Sequence, residues 1–573
     1  MTQGNQGTGL TDEIKTKMRV FALHNAVGFG GKCSPGPIVG KTMTEHPEAK
    51  GSAADVGRFA AELCKEINAM SLEGQQAELE TSGKGVIKEK EHKAHSIFDS
   101  LRISHEEWDG KMVTAFPPEP SKYPHIGHAK AILLNHNLAK EYGGKFILRF
   151  EDTNPDLAKE EFYDIHLENY KWLGISWDEV VYVSDHMEKF DEMARKLIAE
   201  GHAYACVCPV EKVREGRKNG APCDCRDGSS EDVLALYEKM KTATEGEIIL
   251  RLKIDLKHKN SAMRDPTMMR IIDKPHPRTG TKYRIWPTYD LENAVMDGFN
   301  GVTHRLRSKE FELRNELQRH IQRILGFAET NVFEFGRFNM EGVESSGRII
   351  RELIEKGEFT GWDDPRLTTL VALRRRGFQP EAIASFVLAT GVTKAEAVMT
   401  WDDLIVQNKR LLDRQVARYF FIKDPVQVTI TNAPDADVEL RKHPEHDDFG
   451  VRRLHTAQEF YLSKQDIDAI TEGDLVRLMG HLNFRREKAG YAFDSMDYEK
   501  FKNVGAKNIH WLPYGDQVRE VDVLMPDQTV MSGLAEAGID DIEPGEVIQF
   551  ERMGFCRLDQ IGGGRAIFWF THK

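Results

Sequence analysis

The chain is 573 residues long, enough for about three to five domains that each bury a hydrophobic core. Its 40% hydrophobic and 29% charged residues are typical of a globular protein, and its formal net charge of −13 argues against sequence-independent binding of nucleic acid over the whole surface. No window approaches the ~18 uninterrupted apolar residues of a membrane span, and the polar start at residues 1–13 is unlike a signal peptide, so we expect a cytoplasmic protein without membrane contacts.

The first 105 residues predict a helical region without a catalytic cluster. Residues 55–70 carry apolar side chains at the spacing of one helix face, and a Gly/Pro-rich passage covers residues 28–40. Residues 84–93 are heavily charged and predict an exposed helix or a linker.

From residue 111 onward, short strands alternate with helices. The pattern predicts strands at 111–116, 145–150 and 177–183 and helices at 127–142 and 156–173. This alternation is typical of a parallel sheet. Ligands of such sheets bind beyond the carboxyl ends of the strands, where both His125 and Glu151 lie.

Residues 116–130, which read FPPEPSKYPHIGHAK, predict a phosphate-binding site. A Pro-rich strand end leads to Gly127, which permits close approach of the backbone, and then into a helix. The free N–H groups of a helix N-terminus can bind a triphosphate. His125 and His128 lie one turn apart and can hydrogen-bond phosphoryl oxygens as charge develops in the transition state. The alternative is a pair of surface histidines beside a Pro-rich loop.

Four of the seven cysteines form two close pairs. These are Cys206 with Cys208 and Cys223 with Cys225, separated by 14 residues. Two thiolate pairs brought together by a loop can complete a tetrahedral zinc site, and the zinc would be structural because four thiolates leave no open position. The alternative is a reduced cysteine cluster in the protein core. So few cysteines in a long chain do not suggest a disulfide framework.

Residues 186–285 interrupt the strand–helix alternation and contain a basic stretch. Between Arg251 and Arg284, ten Lys/Arg stand against three Asp. A second basic run occupies residues 374–376. Such runs are most often solvated faces, with local binding of nucleic acid as the alternative. We expect the nucleotide-binding fold to resume at residues 285–287.

The last third of the sequence changes from helical to strand patterning. Helical periodicity dominates residues 341–420. Short alternating strands follow, for example at 426–430, 520–524 and 566–570, and they predict β-barrels. The sequence shows no internal repeat or low-complexity run.

Ordered motifs along nearly the whole chain carry a family resemblance. They are the histidine stretch, residues 146–155 (FILRFEDTNP), Tyr289-Asp290, residues 301–307 (GVTHRLR), residues 361–366 (GWDDPR), and the terminal residues 545–552 and 568–572. Together they resemble the class I aminoacyl-tRNA synthetases, and among these the glutaminyl/glutamyl subgroup, with the archaeal glutamyl members as the best match.

The resemblance implies an α/β fold of several domains. Its core is the Rossmann-like parallel sheet of a class I synthetase, with an acceptor-binding insertion, a helical domain, a C-terminal antiparallel β-barrel that binds the anticodon, and an N-terminal helical extension that contacts tRNA or partner proteins. The implied boundaries are 1–105 (extension), 106–185 and 286–345 (two halves of the catalytic domain), 186–285 (insertion), 346–420 (helical domain) and 421–573 (β-barrel).

The resemblance also implies reactants and site residues. The reactants are ATP with Mg²⁺, L-glutamate and tRNA(Glu), with tRNA(Gln) as a further candidate. The implied catalytic residues are His125, His128, Ser345, Ser346 and Arg348; the ATP-binding residues are Pro118, Glu119, Gly127, His128 and Lys130; the glutamate-binding residues are Glu151, Tyr289, Arg305 and Arg307; the tRNA-binding residues are Arg264, Asp265 and Pro266.

Arg307 favours glutamate over glutamine as the substrate. The glutaminyl enzymes have no basic residue at the matching position. A buried γ-carboxylate needs a cationic and preferably bidentate partner, whereas an amide would leave the arginine unpaired. The alternative for Arg307 is a surface arginine at a strand end.

Two positions depart from the family pattern. An arginine that helps to hold the substrate carboxylate usually precedes the Phe-Pro-Pro segment, where this chain has Ala115; Arg305 is a candidate substitute. A Met-Ser-Lys loop usually supplies a lysine to the phosphates, but the corresponding residues 343–348 (VESSGR) contain none. Arg348 could deliver a cation instead.

Three alternative functions stay open at this point. A glutaminyl enzyme would share the architecture, and Arg307 discriminates against it. A tRNA-binding paralogue with impaired catalysis would explain Ala115 and the missing lysine. A nucleotidyltransferase acting on a small acid would share the histidine motif but would leave the C-terminal β structure unexplained.

Overall fold

The computed structural model describes residues 10–28, 31–82 and 96–573, which fall into two compact units, residues 1–96 and 97–573. The predicted charged segment 84–93 lies outside the described residues. The first unit is helical, with helices at Asp12–Gly28, Pro35–Glu45, Ala53–Ile67 and Leu72–Ser82. Ala53–Ile67 confirms the helix predicted at 55–70, because its apolar stripe (Val56, Ala60, Leu63 and Ile67) is buried in the core of this unit.

A five-stranded parallel sheet forms the centre of the second unit. Its strands, in spatial order, are Glu179–Tyr182, Lys145–Phe150, Val113–Phe116, His304–Ser308 and Asn331–Phe335. The strand order reverses between Val113–Phe116 and His304–Ser308. A crevice opens at the carboxyl ends of the strands at such a reversal.

Helices cover both faces of this sheet. Alternate residues of each strand point to opposite faces, so Phe116 and Leu148 pack on one side and Ala115 and Ile147 on the other. The helices around the sheet are His105–Trp108, Ile126–Glu141, Glu160–Trp172, Tyr289–Phe299 and Glu312–Leu325. The α/β prediction is therefore confirmed.

The insertion that follows the strand Glu179–Tyr182 folds around an antiparallel sheet. Its strands are Ala203–Cys206, Ile249–Leu252, Thr267–Ile271 and Ile285–Pro287, and its helices are Met187–Ala199, Val210–Asn219 and Ser230–Lys239. The expectation that the parallel sheet resumes at residues 285–287 is wrong. This strand pairs antiparallel with Thr267–Ile271, because Met269, Arg270 and Ile271 supply its hydrogen-bonding register; the parallel sheet resumes at His304–Ser308.

Helices connect the parallel sheet to the C-terminal β structure. They span Gly347–Glu355, Leu370–Arg375, Pro380–Leu388 and Trp401–Gln415, and a small parallel pair of strands, Phe338–Met340 and Ala397–Met399, lies among them. Ser346 caps the N-terminus of the first helix, where its hydroxyl accepts a hydrogen bond from the Ile349 N–H. None of the helices within residues 10–28, 31–82 and 96–573 has the length and apolar character to cross a bilayer.

The C-terminal β structure consists of two seven-stranded sheets and a hairpin. One sheet contains, in spatial order, Arg418–Tyr419, Val547–Phe550, Gly554–Gly562, Arg565–His572, Val518–Leu524, Val530–Glu536 and Phe421–Lys423. The other contains Lys507–Ile509, Leu475–Leu478, Asn483–Glu487, Gly490–Ser495, Pro425–Thr431, Glu459–Ser463 and Leu512–Pro513. The hairpin pairs Ala436–Arg441 with Val451–Thr456, and two short helices are Lys464–Asp468 and Tyr498–Val504.

The two large sheets repeat one pairing pattern. Read across each sheet in the order given, the pairs are parallel, antiparallel, antiparallel, parallel, antiparallel and antiparallel. The predicted β structure is confirmed, and the expectation of no internal repeat holds for the sequence but not for the topology.

Candidate functional site

A cavity of about 830 Å³ opens at the carboxyl ends of Val113–Phe116 and His304–Ser308. Its wall is formed by the loop and helix after the first of these strands, by the second strand itself, and by the loop before helix Gly347–Glu355. The cavity thus occupies the crevice that the reversal of strand order predicts. Sequence-predicted residues in its wall are Glu119, His125, Gly127, His128, Lys130, Glu151, Tyr289, Arg305, Arg307, Ser345 and Ser346.

The two histidines cap the helix Ile126–Glu141, and their tautomers follow from that contact. The His125 Nδ1 accepts the Gly127 N–H at 3.0 Å. The His128 Nδ1 accepts the His125 N–H at 3.2 Å. A neutral imidazole that accepts at Nδ1 carries its proton on Nε2. Each ring therefore presents an Nε2–H donor.

Both imidazoles are neutral at physiological pH. Burial is the main cause that lowers the pKa of His125 to about 3, with Lys122 and Arg337 adding to the effect. Burial also lowers the pKa of His128 well below its usual value, and the neighbouring His125 lowers it further. Two neutral N–H donors beside a helix N-terminus can stabilise developing negative charge by donating hydrogen bonds to it.

Gly127 is required by the position of His125. A Cβ at residue 127 would lie 2.8 Å from Cε1 and 3.0 Å from Nδ1 of the His125 ring, so a side chain there would displace the imidazole. The Lys130 Nζ donates to the Gly336 carbonyl at 3.0 Å, and burial lowers its pKa to about 8. Pro118 is buried outside the cavity wall, where its carbonyl accepts the Glu151 N–H.

A buried charge network closes the other end of the cavity. Arg305 donates to both carboxylate oxygens of Asp297, at 3.1 and 3.0 Å. Arg149 pairs with Asp297 at 2.8 Å and with Glu151 at 3.3 Å. Burial raises the pKa of Glu151 although Arg149 and Arg305 oppose it. A cationic ligand at Glu151 would stabilise the ionised carboxylate.

Ala115 lies in the layer beneath this network. It is fully buried beside Ile147 and Val181. Its register partner on one side is Ile147, and on the other side the pairing of Thr114 with His304 places Arg305 next to it. The small side chain thus leaves room for the buried arginines of the neighbouring strands, Arg149 and Arg305.

Arg307 stands in the cavity wall with donors to spare. It is 7% exposed, and it donates to the Tyr289 hydroxyl at 3.3 Å and to Asn315 Oδ1. Its Nε has no hydrogen-bond partner within the described part of the chain. Asn315 in turn donates to Glu334, which fixes the amide orientation. A buried guanidinium held flat by two neutral groups is arranged to receive an anionic ligand.

Sequence reasoning missed several residues of the cavity. Glu292 is 4% exposed, its Oε2 accepts the Thr153 hydroxyl at 2.7 Å, and its Oε1 has no partner among the described residues. Burial, reinforced by Glu151, raises its pKa well above the usual value. Lys122 and Arg270 also line the cavity. The hydrophobic pattern of the sequence does not show where the side chains of Glu292 and Arg270 point. Lys122 could have been found, because it lies within the histidine stretch.

The loop 343–348 meets the cavity only in part. Ser345, Ser346 and Gly347 line it. Arg348 is exposed and is not part of the cavity wall. The loop thus brings hydroxyl groups, but not its arginine, to the cavity.

The four cysteines of the insertion converge. Their sulfur atoms all lie within 4.8 Å of one another. The Cys206–Cys223 and Cys208–Cys225 sulfur pairs are each 3.8 Å apart. Four thiolates around a tetrahedral zinc, each ~2.3 Å from the metal, would lie about 3.8 Å apart, so this cluster has the donor set and the spacing of a zinc site.

A second cavity, of about 580 Å³, lies between the insertion and the Tyr289 side of the first. The two share Arg270, Tyr289 and Glu310 in their walls. Of the three residues predicted to contact tRNA, Pro266 lines this second cavity. The Asp265 carboxylate is fully buried and accepts from Tyr204, Arg226 and the Ile254 N–H. Arg264 donates to the His258 and Arg217 carbonyls.

Half of the ten basic residues in the predicted stretch are neutralised within the protein. Five of its members form ion pairs: Lys253–Asp227, Lys274–Asp156, Arg278–Asp185, Lys282–Glu188 and Arg284–Asp273. The run 374–376 is similarly engaged. Arg374 pairs with Glu168, Arg375 with Asp363 and Asp559, and buried Arg376 donates to the Pro365 and Thr571 carbonyls. Local charge counts therefore overstate the cationic surface.

The fold and the site together define a nucleotide-binding α/β enzyme whose paired imidazoles face a cavity at the switch point of a parallel sheet. The family model described as "tRNA synthetases class I (E and Q), catalytic domain" matches residues 111–414. Two models of the anticodon-binding domain of the same family match residues 416–496 and 497–559. The chain belongs to the class I tRNA synthetases for glutamate and glutamine.

Archaeal proteins are similar over nearly the full length. Glutamate–tRNA ligase of Pyrococcus abyssi is 39% identical, over 98% of this chain and 100% of its own. The enzyme of the same name from Methanothermobacter thermautotrophicus is 38% identical, over 96% of this chain and 98% of its own. That of Methanocaldococcus jannaschii is 38% identical, over 98% and 100%.

Proposed function

We propose that this chain is a glutamate–tRNA ligase, which activates L-glutamate with ATP and transfers it to the 3′ end of tRNA(Glu). The observation that carries the choice of amino acid is Arg307, a buried guanidinium in the cavity wall whose Nε has no hydrogen-bond partner among the described residues. Full-length similarity to archaeal proteins named glutamate–tRNA ligase supports the same choice.

Glutamate is held at both ends in this proposal. Its γ-carboxylate accepts from Arg307 and from the Tyr289 hydroxyl, which are already 3.3 Å apart. Its ammonium group lies against Glu151. Arg305 is the candidate donor to the α-carboxylate in place of an arginine at residue 115. Glutamine would leave the charge of Arg307 buried without a counterion, which disfavours it.

The chemistry needs positioning more than covalent catalysis. A carboxylate oxygen of glutamate attacks the α-phosphorus of ATP, and the bond from the α-phosphorus to the pyrophosphate oxygen breaks. The Nε2–H groups of His125 and His128 donate to the phosphoryl oxygens as charge develops. Mg²⁺, when bound, neutralises charge on the departing pyrophosphate. Ser345 and Ser346 are further donors in the same wall.

Transfer to tRNA completes the reaction. The terminal ribose hydroxyl attacks the carbonyl carbon of the glutamyl adenylate, and AMP leaves with the oxygen that came from the glutamate carboxylate. The second cavity, next to Tyr289 and lined by Pro266, is the entry that we assign to the acceptor end. Most strands of the C-terminal sheets fall in the ranges that the family models describe as anticodon-binding, residues 416–496 and 497–559, and splayed single-stranded bases suit recognition there.

The cysteine cluster is a structural zinc site in this proposal. Cys206, Cys208, Cys223 and Cys225 would supply four thiolates and leave no position open for catalysis. The cluster lies in the insertion that adjoins the second cavity: Arg217, from the helix between the two cysteine pairs, lines that cavity. Zinc would therefore stabilise the part of the protein that we assign to the acceptor end.

Aminoacylation tests the proposal. Total archaeal tRNA is incubated with the protein, ATP, Mg²⁺ and labelled glutamate or glutamine, and the charged tRNAs are identified. Charging with glutamate supports the proposal, and the identity of the tRNAs decides whether tRNA(Gln) is also a substrate. Charging with glutamine alone would contradict the assignment of Arg307. Binding of tRNA without charging would favour a catalytically impaired paralogue.

A further inference from the structure

Lys122 is a basic residue in the cavity wall that the chemistry above does not use. It lies on the loop between Phe116 and the helix of the two histidines, and it lines the cavity beside His125 and Ser345. Within the described residues its Nζ makes neither a hydrogen bond nor an ion pair. Burial lowers its pKa, Glu119 opposes that effect, and Arg337 adds to it. An anionic ligand would relieve the cost of this half-buried charge.

The side chain of Lys122 packs against the loop 343–348 at Gly347. A Cβ at Gly347 would lie 3.0 Å from Cδ and 3.8 Å from Cβ of Lys122. A larger residue at 347 would therefore press on the lysine stem, and only glycine leaves it undisturbed. In this chain the loop has no lysine, and a lysine from the first motif fills the adjoining volume.

The backbone around Lys122 is held rigidly. Its carbonyl accepts the His166 Nε2–H at 2.9 Å. The next residue, Tyr123, stacks on Trp362 at 5.3 Å between ring centroids. The carbonyl of Pro124 accepts the Leu370 N–H at 2.9 Å. A side chain on such a fixed segment can be aimed without a large entropic cost.

Other basic groups near the phosphate end are less suited to this role. Arg348 is exposed and outside the cavity wall. Arg337 lines the cavity but is paired with Glu310 at 2.8 Å and is largely exposed. Lys130 donates to the Gly336 carbonyl. Lys122 is half-buried, lies beside His125, and has an ammonium group without a partner among the described residues.

We propose that Lys122 binds the β- and γ-phosphates of ATP and stabilises the departing pyrophosphate, in the place of a lysine on the loop 343–348. The inference rests on the proposed function, because it names the group that receives the leaving pyrophosphate of that reaction. Lys122 would touch the substrate and would therefore be a catalytic residue. The ammonium group would act as a compact charge on the phosphates as the bond to the α-phosphorus breaks.

Glutamate-dependent ATP–pyrophosphate exchange, with tRNA present, tests the assignment. Lys122→Met should lower kcat/KM for ATP in the exchange about 100-fold, because it removes a contact to the phosphates that exists in the ground state and strengthens in the transition state, with a KM for glutamate within about threefold of the parent value. Lys140→Met, which changes an exposed lysine at the end of the helix Ile126–Glu141, should change neither. A larger loss in Arg348→Ala than in Lys122→Met would overturn the proposal.

Relocating the lysine separates charge delivery from folding. The double variant Lys122→Gly with Gly347→Lys moves the ammonium group to the loop and removes the stem that residue 347 would meet. It should recover at least about tenfold of the activity that Lys122→Gly alone loses. Recovery of none of it, in a double variant that melts at the parent temperature, would count against the proposal.

Binding of tripolyphosphate decides the assignment even if the parent protein shows no ligase activity. By calorimetry, Lys122→Met should weaken tripolyphosphate binding at least about tenfold and leave adenosine binding unchanged. Equal tripolyphosphate affinity in parent and variant would refute the role of Lys122. An inactive parent that still shows the affinity difference would refute the proposed ligase function and retain the phosphate site.

Discussion

The substitution Arg307→Met tests the amino-acid pocket most sharply. Methionine fills most of the same volume but removes the guanidinium that contacts Tyr289 and Asn315. Arg307 is only 7% exposed, so solvent screens its charge little. The small free energies that are typical of exposed ion pairs therefore do not apply to it. Losing one partner of a buried, hydrogen-bonded charge pair costs about 2–5 kcal/mol.

That cost corresponds to a ~30- to 5,000-fold loss of kcat/KM for glutamate, since about 1.4 kcal/mol is tenfold. The kcat/KM for glutamine should change less than about tenfold, because a neutral amide loses only ordinary hydrogen bonds. Arg307→Lys keeps a charge without the planar fork and should fall between parent and methionine variant. Arg323→Met, on an exposed ion pair of the helix Glu312–Leu325, is the matched control.

Aminoacylation kinetics with both amino acids supply the measurement. The reasoning would be refuted if Arg307→Met retained the parent ratio of kcat/KM for glutamate over glutamine. A retained ratio in a folded variant would mean equal losses for the two amino acids, and it would show that Arg307 supports the cavity without touching the γ-carboxylate.

Three further predictions follow from the site and its surroundings. His128→Ala should lower kcat for aminoacylation by about 100-fold or more, because it removes one Nε2–H donor; unchanged turnover in steady-state assays would remove His128 from the site. Cys208→Ser should lower bound zinc below half an equivalent by elemental analysis and reduce the melting temperature; a parent protein purified without chelator and free of zinc would contradict the site. Burial lowers the pKa of His481 to about 4 and of His510 to about 3. As the pH falls, the unfolded state therefore binds protons first, because the pKa of an exposed histidine is ~6.5. The free energy of unfolding should be highest above ~pH 6.5 and should fall by about 1.4 kcal/mol per histidine for each pH unit below it. Denaturant titrations of parent and His510→Asn between pH 7 and 5 should show a shallower fall in the variant, and identical slopes would disprove this assignment.

The parts of the fold that follow one-dimensional periodicity could be predicted from the sequence. The strand Lys145–Phe150 and the helix Ile126–Glu141 fall where apolar spacing places them. Their order implies a parallel sheet, and the sheet implies a crevice at its carboxyl edge. His125, Glu151 and Arg307 meet at that edge because all three follow or end strands of one sheet.

What could not be predicted depends on contacts between distant segments. The short run Ile285–Pro287 has no periodicity of its own, and its partner Thr267–Ile271 decides which sheet it joins. Asp265 looks like an exposed turn residue but turns inward to Tyr204 and Arg226. The repeated pairing order of the two C-terminal sheets leaves no trace in spacing, because it is a property of topology.

Charge patterns were the least informative feature of the sequence. Arg348 stands beside the predicted catalytic serines in sequence, yet its position in the first turn of a helix directs it away from the cavity wall. Lys122 stands within the histidine motif, and only the neighbouring Gly347 shows the volume that it occupies. Whether a cation is free or paired depends on the acidic groups that folding brings to it.

The path of one oxygen atom tests the central claim most directly. The protein is incubated with ATP, Mg²⁺, total archaeal tRNA and glutamate labelled with ¹⁸O in its carboxylates, and the AMP is analysed by mass spectrometry. Attack of the α-carboxylate on the α-phosphorus, followed by transfer to tRNA, predicts AMP that carries one ¹⁸O atom and one AMP for each glutamate esterified. ATP consumption that yields unlabelled AMP, or ADP and phosphate, would contradict the account.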